Sequence, residues 1–193
     1  MCVPDISELN LEGIDTVAID LETYDPDLKR RGSGAVRGVG FVCGIAIATS
    51  KQTFYFPIAH AMTDNLDVDE TWEVLNKKVF KNKGLRKVFH NAMYDVCWIR
   101  AATGEMPEGE LLDTMIAASV IDETRMRYSL DSLSRDYLQD TKYKYDLQNK
   151  ALEELGIKDP MSNMHKLSYD LVKDYAEQDV NLTLKLWNIF EKK

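Results

Sequence analysis

Cysteine is scarce and scattered. The three cysteines, Cys2, Cys43 and Cys97, have no paired spacing. That excludes a closed disulfide framework and a cysteine zinc site, and it points to a reducing, cytoplasmic setting (the host cytoplasm for a viral protein). Long apolar runs are also missing. The longest, Val39 to Ala48, is broken by Gly40 and Gly44 and is too short to span a bilayer, so no membrane partner is expected. The opening "MCVPDISELN" lacks the basic region and apolar core of a signal peptide. Neither a repeat nor a low-complexity tract is present. Positive charge is short: 24 Lys and Arg stand against 32 Asp and Glu, a net charge of −8. A protein that coats nucleic acid by bulk attraction is therefore disfavoured, but an enzyme whose acidic centre is neutralised by cations is not. What is present is a chain of 193 residues, 45% hydrophobic. That suits one globular domain with a full core, with residues 1–14 read as an N-terminal extension and 25–40 as a loop insertion.

Apolar patterning predicts strands at Thr16–Asp20, Gly40–Thr49, Gln52–Ile58 and Arg86–Asn91. The Ser50-Lys51 link makes a hairpin of the second and third. "DVDETWEVLNKKVF" reads as a helix capped by Asp67 or Asp69, with Trp72, Leu75 and Val79 on one face. "MYDVCWIRAA" is helical up to Gly104. "LLDTMIAASVI" reads as a short strand, a cap at Asp113 and a helix. Tyr128–Leu138 is an amphipathic helix. Lys142–Asn163 is polar and mixed, with a helix near Leu147–Leu155. A long last helix is capped by Ser168, with Leu171, Val172, Tyr175, Val180, Leu182, Leu186 and Phe190 on its apolar side. Strands gather early and helices follow, as in an α/β or α+β domain with a mixed sheet.

"VAIDLETYDPD" places Asp20 and Glu22 at the carboxyl end of the first strand, where open sheets of this kind form their sites. Asp95 lies in "HNAMYD", just inside a helix. Tyr175 and Asp179 are four residues apart, so they project from one helix face about 6 Å apart along the axis. Singly these residues have plain readings: a strand-end acid is solvated, Asp95 offsets a helix dipole, and Tyr175 is core. His90 reads as a packing or hydrogen-bonding residue, His60 and His165 show no partner spacing, and Asp113 is a helix cap. Together, four converging carboxylates need cations. Hard oxygen ligands select Mg²⁺ or Mn²⁺. Two such ions about 4 Å apart suit in-line displacement at phosphorus.

"DLET" (Asp20–Thr23), "HNAMYD" (His90–Asp95) and "YAEQD" (Tyr175–Asp179) resemble the three motifs of the DEDD 3′–5′ exonucleases, in the tyrosine form. The nearest likeness is to the proofreading domain of family A DNA polymerases, those of phages above all. The resemblance implies an α/β, ribonuclease-H-like fold: a mixed five-stranded sheet, its second strand antiparallel, flanked by helices. It implies two divalent cations, Mg²⁺ or Mn²⁺. Asp20, Glu22 and Asp179 hold the first. Asp20 also reaches the second, which Asp95 holds largely through waters. Tyr175 orients the attacking water, and Thr23 and Asn91 touch the terminal nucleotide or its phosphates. The expected substrate is a single-stranded DNA 3′ end. A family A polymerase continues where this chain stops, so the chain reads either as an excised proofreading domain, with a DNA polymerase domain or subunit as partner, or as a free-standing exonuclease.

Two rivals share the fold: a ribonuclease D-like exoribonuclease, and a non-catalytic nucleic-acid-binding module. Such modules usually lose acids, and here all four acids and the tyrosine stand. The stretch Asp25–Gly40 departs from the family's pattern, separating the first motif from the next strand by more than a tight turn, and within it stands the segment "KRRGSGAVR". Lys29, Arg30, Arg31 and Arg37 crowd into it with no acid among them. It reads either as a solvated loop or as a phosphate-attracting one in which Arg30, Arg31 and Arg37 bind the strand. With that segment in the way, residues gripping the terminal base near the first motif cannot be placed.

Overall fold

The computed structural model describes residues 3–140 and 144–193. Cys2 and Lys142, named above, lie outside them. Five strands pair in the order β3-β2-β1-β4-β5. They are β1 (Thr16–Tyr24), β2 (Phe41–Ala48), β3 (Thr53–Pro57), β4 (Arg86–Phe89) and β5 (Leu111–Asp113). β2 is antiparallel to both neighbours, while β1, β4 and β5 are mutually parallel. This is the mixed α/β sheet that the resemblance implies. Around it lie α1 (Leu28–Arg31), α2 (Gly34–Arg37), α3 (Val68–Leu75), α4 (Ala92–Thr103), α5 (Thr114–Ile121), α6 (Leu130–Leu133), α7 (Lys144–Leu155) and α8 (Tyr169–Phe190).

Alternation along β1 decides which wall each residue serves. Val17, Ile19 and Leu21 join Trp72, Leu75, Val96 and Ile99 in one core, under α3 and α4. Ala18 joins Ala46, Ala48, Tyr55 and the α8 residues Val172, Tyr175, Ala176 and Val180 in the other. Alanines on β2 keep that face shallow, so α8 packs close to the sheet. The far half of α8, with Leu182, Leu186 and Phe190, covers Ala118, Leu130 and Leu133. The first residues do not trail from this body: Ile6 and Leu9 are buried in the α3–α4 core.

Three expectations need correction. β1 does not stop at Asp20 but runs on to Tyr24, because β2 keeps pairing with it as far as Phe41. Asp20 and Glu22 are therefore strand residues, fixed by the pleat rather than by a loop. The helix expected over Tyr128–Leu138 is α6 followed by a π-helical turn at Ser134–Leu138, and the helix from Val68 likewise ends in a π turn at Asn76–Phe80. Ser168 stands at the head of α8, but its side chain makes no cap bond; its carbonyl accepts the Leu171 and Val172 amides instead. Asp67 does cap α3, accepting from the Glu70 amide at 2.9 Å. Among the described residues, no helix is long and apolar enough to cross a membrane.

Candidate active site

The site follows from unequal strand lengths. β4 pairs with β1 only as far as Ala18↔Val88, yet β1 continues for six more residues. Beyond Ala18 the strands diverge and the backbone of β1 loses its partner on that side. The Leu21 amide is satisfied by a side chain, donating to Asp95 Oδ1 at 3.1 Å. Asp95 is thus part of the fold as well as of the site. Its helix α4 starts at Asn91, which adopts the left-handed conformation at φ 71°, one that asparagine tolerates. Asp113 fixes that turn. It accepts from the Asn91 and Ala92 amides at 3.1 and 2.8 Å, and it also caps α5 by accepting from Met115 at 2.8 Å. His90 Nδ1 lies 2.9 Å from Thr114 Oγ1, whose proton goes to the Phe89 carbonyl. The imidazole is therefore the donor and serves this corner as a brace.

Asp20 and Glu22 share the face of β1 turned toward α8, where Tyr175 and Asp179 project one turn apart. The structure brings Asp20, Glu22, Thr23, Asn91, Asp95, Tyr175 and Asp179 to a single cleft of about 320 Å³. Leu21, Leu28, His90, Tyr94 and Met161 complete its lining. Neither lysine nor arginine lines it, so four acids face one another without a cationic side chain between them. The electrostatics record the cost. Burial, then the charge of Asp20, holds the Asp95 carboxyl well above the usual range. Burial, then the charges of Asp179, Glu22 and Asp20, pushes the Tyr175 hydroxyl up. Tyr175 is therefore a phenol at neutral pH, able to donate or accept a hydrogen bond. An all-oxygen carboxylate set of this kind fits hard divalent cations. Among the described residues no three acids already close to metal-ligating spacing; like charges share a cleft here rather than a closed cage.

Next to the acids, Thr23 on β1 and Tyr94 on α4 begin a second, hydrogen-bonded part of the lining. Thr23 Oγ1 lies 2.7 Å from Tyr94 Oη, which donates to Asp25 Oδ2 at 3.1 Å. Asp25 also accepts from the Gly34 amide at 2.9 Å and from Arg37 Nη2 at 3.2 Å. The basic segment is thereby divided. The Arg37 guanidinium is committed inside the loop, to Asp25 and to the Pro26 and Gly32 carbonyls. Arg30 is exposed and pairs with exposed Asp27 at 3.3 Å, and Arg31 is exposed. None of the three lines the cleft. A tyrosine inside "HNAMYD" and an acid two residues past "DLET" were visible in the sequence, but no spacing rule links positions 25, 37 and 94.

Comparison with known proteins agrees with this geometry. The profile of a family described as "3'-5' exonuclease" matches residues 6–193. A DNA-directed DNA polymerase of Pseudomonas phage M6 is 32% identical over 189 residues, 95% of this chain and 28% of its own length. The chain thus spans under a third of that relative. Ribonuclease D of Trypanosoma brucei, solved with GMP, superposes with a TM-score of 0.71 at 18% identity, over 95% of this chain and 52% of the other. NrnC of Brucella melitensis, solved with Mg²⁺, superposes at 0.63 and 19% identity, over 95% and 76%. Those two likenesses show the fold. With the profile covering nearly the whole chain and the motif residues gathered in one cleft, the chain belongs to the 3′–5′ exonuclease family.

Proposed function

We propose that this chain is an exodeoxyribonuclease that hydrolyses single-stranded DNA from the 3′ end and releases nucleoside 5′-monophosphates. The observation that carries this reading is the meeting of Asp20, Glu22, Asp95 and Asp179 with Tyr175 in one cleft that neither lysine nor arginine lines. Asp20, Glu22 and Asp179 would hold one divalent cation, and Asp20 with Asp95 a second. Such ions, when bound, activate water and stabilise the leaving oxygen of an in-line displacement. Tyr175, protonated, orients the attacking water. Thr23 and Asn91 position the terminal nucleotide, and Leu28 and Met161 offer apolar surface to its base. The free thiols Cys43 and Cys97 support work in a reducing cytoplasm. The phage polymerase relative supports DNA as substrate and a polymerase domain or subunit as partner.

The experiment is a ladder assay. 5′-labelled DNA and RNA oligomers are incubated with Mg²⁺, Mn²⁺ or EDTA. DNA should shorten stepwise from the 3′ end with either metal and stay intact in EDTA. Faster loss of RNA would move the assignment to an exoribonuclease. An unchanged ladder in EDTA would remove the metals from the reaction.

A further inference from the structure

Asp25 is one acid among several in the sequence, yet its side chain is only 3% exposed and collects donors from three directions. Oδ1 takes the Gly34 amide and Arg37 Nη2; Oδ2 takes the Tyr94 hydroxyl and, more distantly, the same amide. A carboxylate paired with a guanidinium only accepts. The Tyr94 hydroxyl must therefore give its one proton to Asp25. Thr23 Oγ1, 2.7 Å from Tyr94 Oη, must in turn give its proton to Tyr94. The chain has one direction: Thr23 to Tyr94 to Asp25.

That direction decides what Thr23 shows the cleft it lines. With its proton turned away, the threonine oxygen presents lone pairs. We propose that Asp25 is a positioning residue that fixes Thr23 as an acceptor, so that the cleft selects a nucleic-acid end carrying a hydroxyl donor, a free 3′-OH. The inference rests on the 3′-end reading above. Asn at position 25 would reverse the relay. Arg37 and Gly34 claim the single amide oxygen, which leaves the NH₂ group facing Tyr94. Tyr94 would then donate to Thr23, and Thr23 would point its proton into the cleft.

The test compares 5′-fluorescein oligodeoxynucleotides ending in 3′-OH or 3′-H, with binding read by anisotropy in EDTA so that nothing is cut. Wild type should bind the 3′-OH end about five- to tenfold tighter, the scale of one net hydrogen bond. Asp25→Asn should lose most of that preference by weakening 3′-OH binding, with 3′-H binding nearly unchanged. Tyr94→Phe cuts the relay but leaves Arg37 and Gly34 on Asp25, so it decides the matter if Asp25→Asn folds poorly. A wild type without the preference, or variants that keep it, would overturn the relay. The same oligomers in Mg²⁺ separate the two readings. Tight 3′-OH binding without cleavage ends the nuclease assignment and spares the relay; a normal ladder without end preference does the reverse.

Discussion

On one wall of the cleft, Asp20, Glu22, Asp95 and Asp179 stand on a strand and two long helices, each seated in a buried core. On the other, Thr23 and Tyr94 depend on a loop of two single-turn helices tied down by one buried carboxylate, Asp25. The first wall holds charges that oppose one another. The second holds hydroxyls that need a direction. Rigid, regular elements withstand the repulsion, whereas a short irregular loop can hold one carboxylate, Asp25, where no helix or strand would put it. The difference predicts that damage to the acid wall stops chemistry, and that damage to the loop wall alters binding.

The largest effect should come from the acid wall. Asp20→Ala or Asp179→Ala should cut hydrolysis by about a thousandfold or more, the scale of losing a group that stabilises transition-state charge. Thermal stability without metal should hold or rise, because one repelling charge is gone. Mn²⁺ should raise the melting temperature of wild type more than that of Asp20→Ala, since a ligand bound only by the folded state stabilises it. Equal shifts would place the stabilising ion elsewhere.

Two glycines sharpen the contrast. Gly44 lies opposite Glu22 on β2, and an added Cβ there would overlap the buried Tyr55 hydroxyl. Gly44→Ala should cost about 1–3 kcal/mol in denaturant melts, the usual range for overpacking. At Gly34 an added Cβ would overlap the Val39 carbonyl and the Asp25 carboxylate. Gly34→Ala should raise KM for DNA several-fold and lower the denaturation midpoint less than Gly44→Ala does, because the loop meets the core through partly buried Ala35 rather than through a strand. A large midpoint shift at Gly34 with normal KM would erase the distinction between the walls.

The same division explains what the sequence revealed. Asp20 and Glu22 alternate with apolar neighbours, Tyr175 and Asp179 share a helical period, and Asp113 precedes a helix as caps do. Each of these signals is local, and the structure gathers all of them at one corner. The continuation of β1 to Tyr24 was hidden because "LETY" carries an acid where a strand usually has none; β2 pairing overrides that. The π turns at Asn76–Phe80 and Ser134–Leu138 carry no mark in a 3.6-residue pattern. The Asp25 hub was hidden for a different reason. It joins residues up to 69 positions apart, and such contacts leave no periodicity.

Away from both walls, buried His60 gives a pH signature. Its Nδ1 donates to the Leu167 carbonyl at 2.8 Å, so Nε2 accepts from the Tyr55 hydroxyl at 2.6 Å. Burial holds the imidazole below its ordinary 6.5. Below that value the unfolded chain takes up a proton that the folded one refuses. Stability should thus be full above about pH 6.5 and fall as the pH drops below it. His165 is lowered for the same reason, but it is less buried. Denaturant midpoints between about pH 7.5 and 5.5 should fall less steeply in His60→Gln than in wild type. Parallel slopes would assign the effect to His165 or to another group.

The smallest effect separates the arginines of the loop. The Arg30 side chain is 76% exposed, and its pairing with Asp27 is a surface contact of little strength. It and Arg31 are free to meet phosphates, which draw basic groups whatever the base sequence. Arg37 is spent on Asp25, with a side chain 18% exposed. The double change Arg30→Ala with Arg31→Ala should raise KM for single strands a few-fold and leave turnover at saturation unchanged. If each arginine neutralises one phosphate, the slope of log affinity against log salt should flatten by about 1.4. Arg37→Ala should weaken binding by a similar factor at every salt concentration, because it acts through the Asp25 relay and not through counterion release. The measurement is KM for one oligonucleotide across a salt series in all three proteins. A flattened slope in Arg37→Ala would return that residue to the phosphate-binding set. Superimposable slopes for wild type and the double variant would leave Arg30 and Arg31 as solvated loop charges.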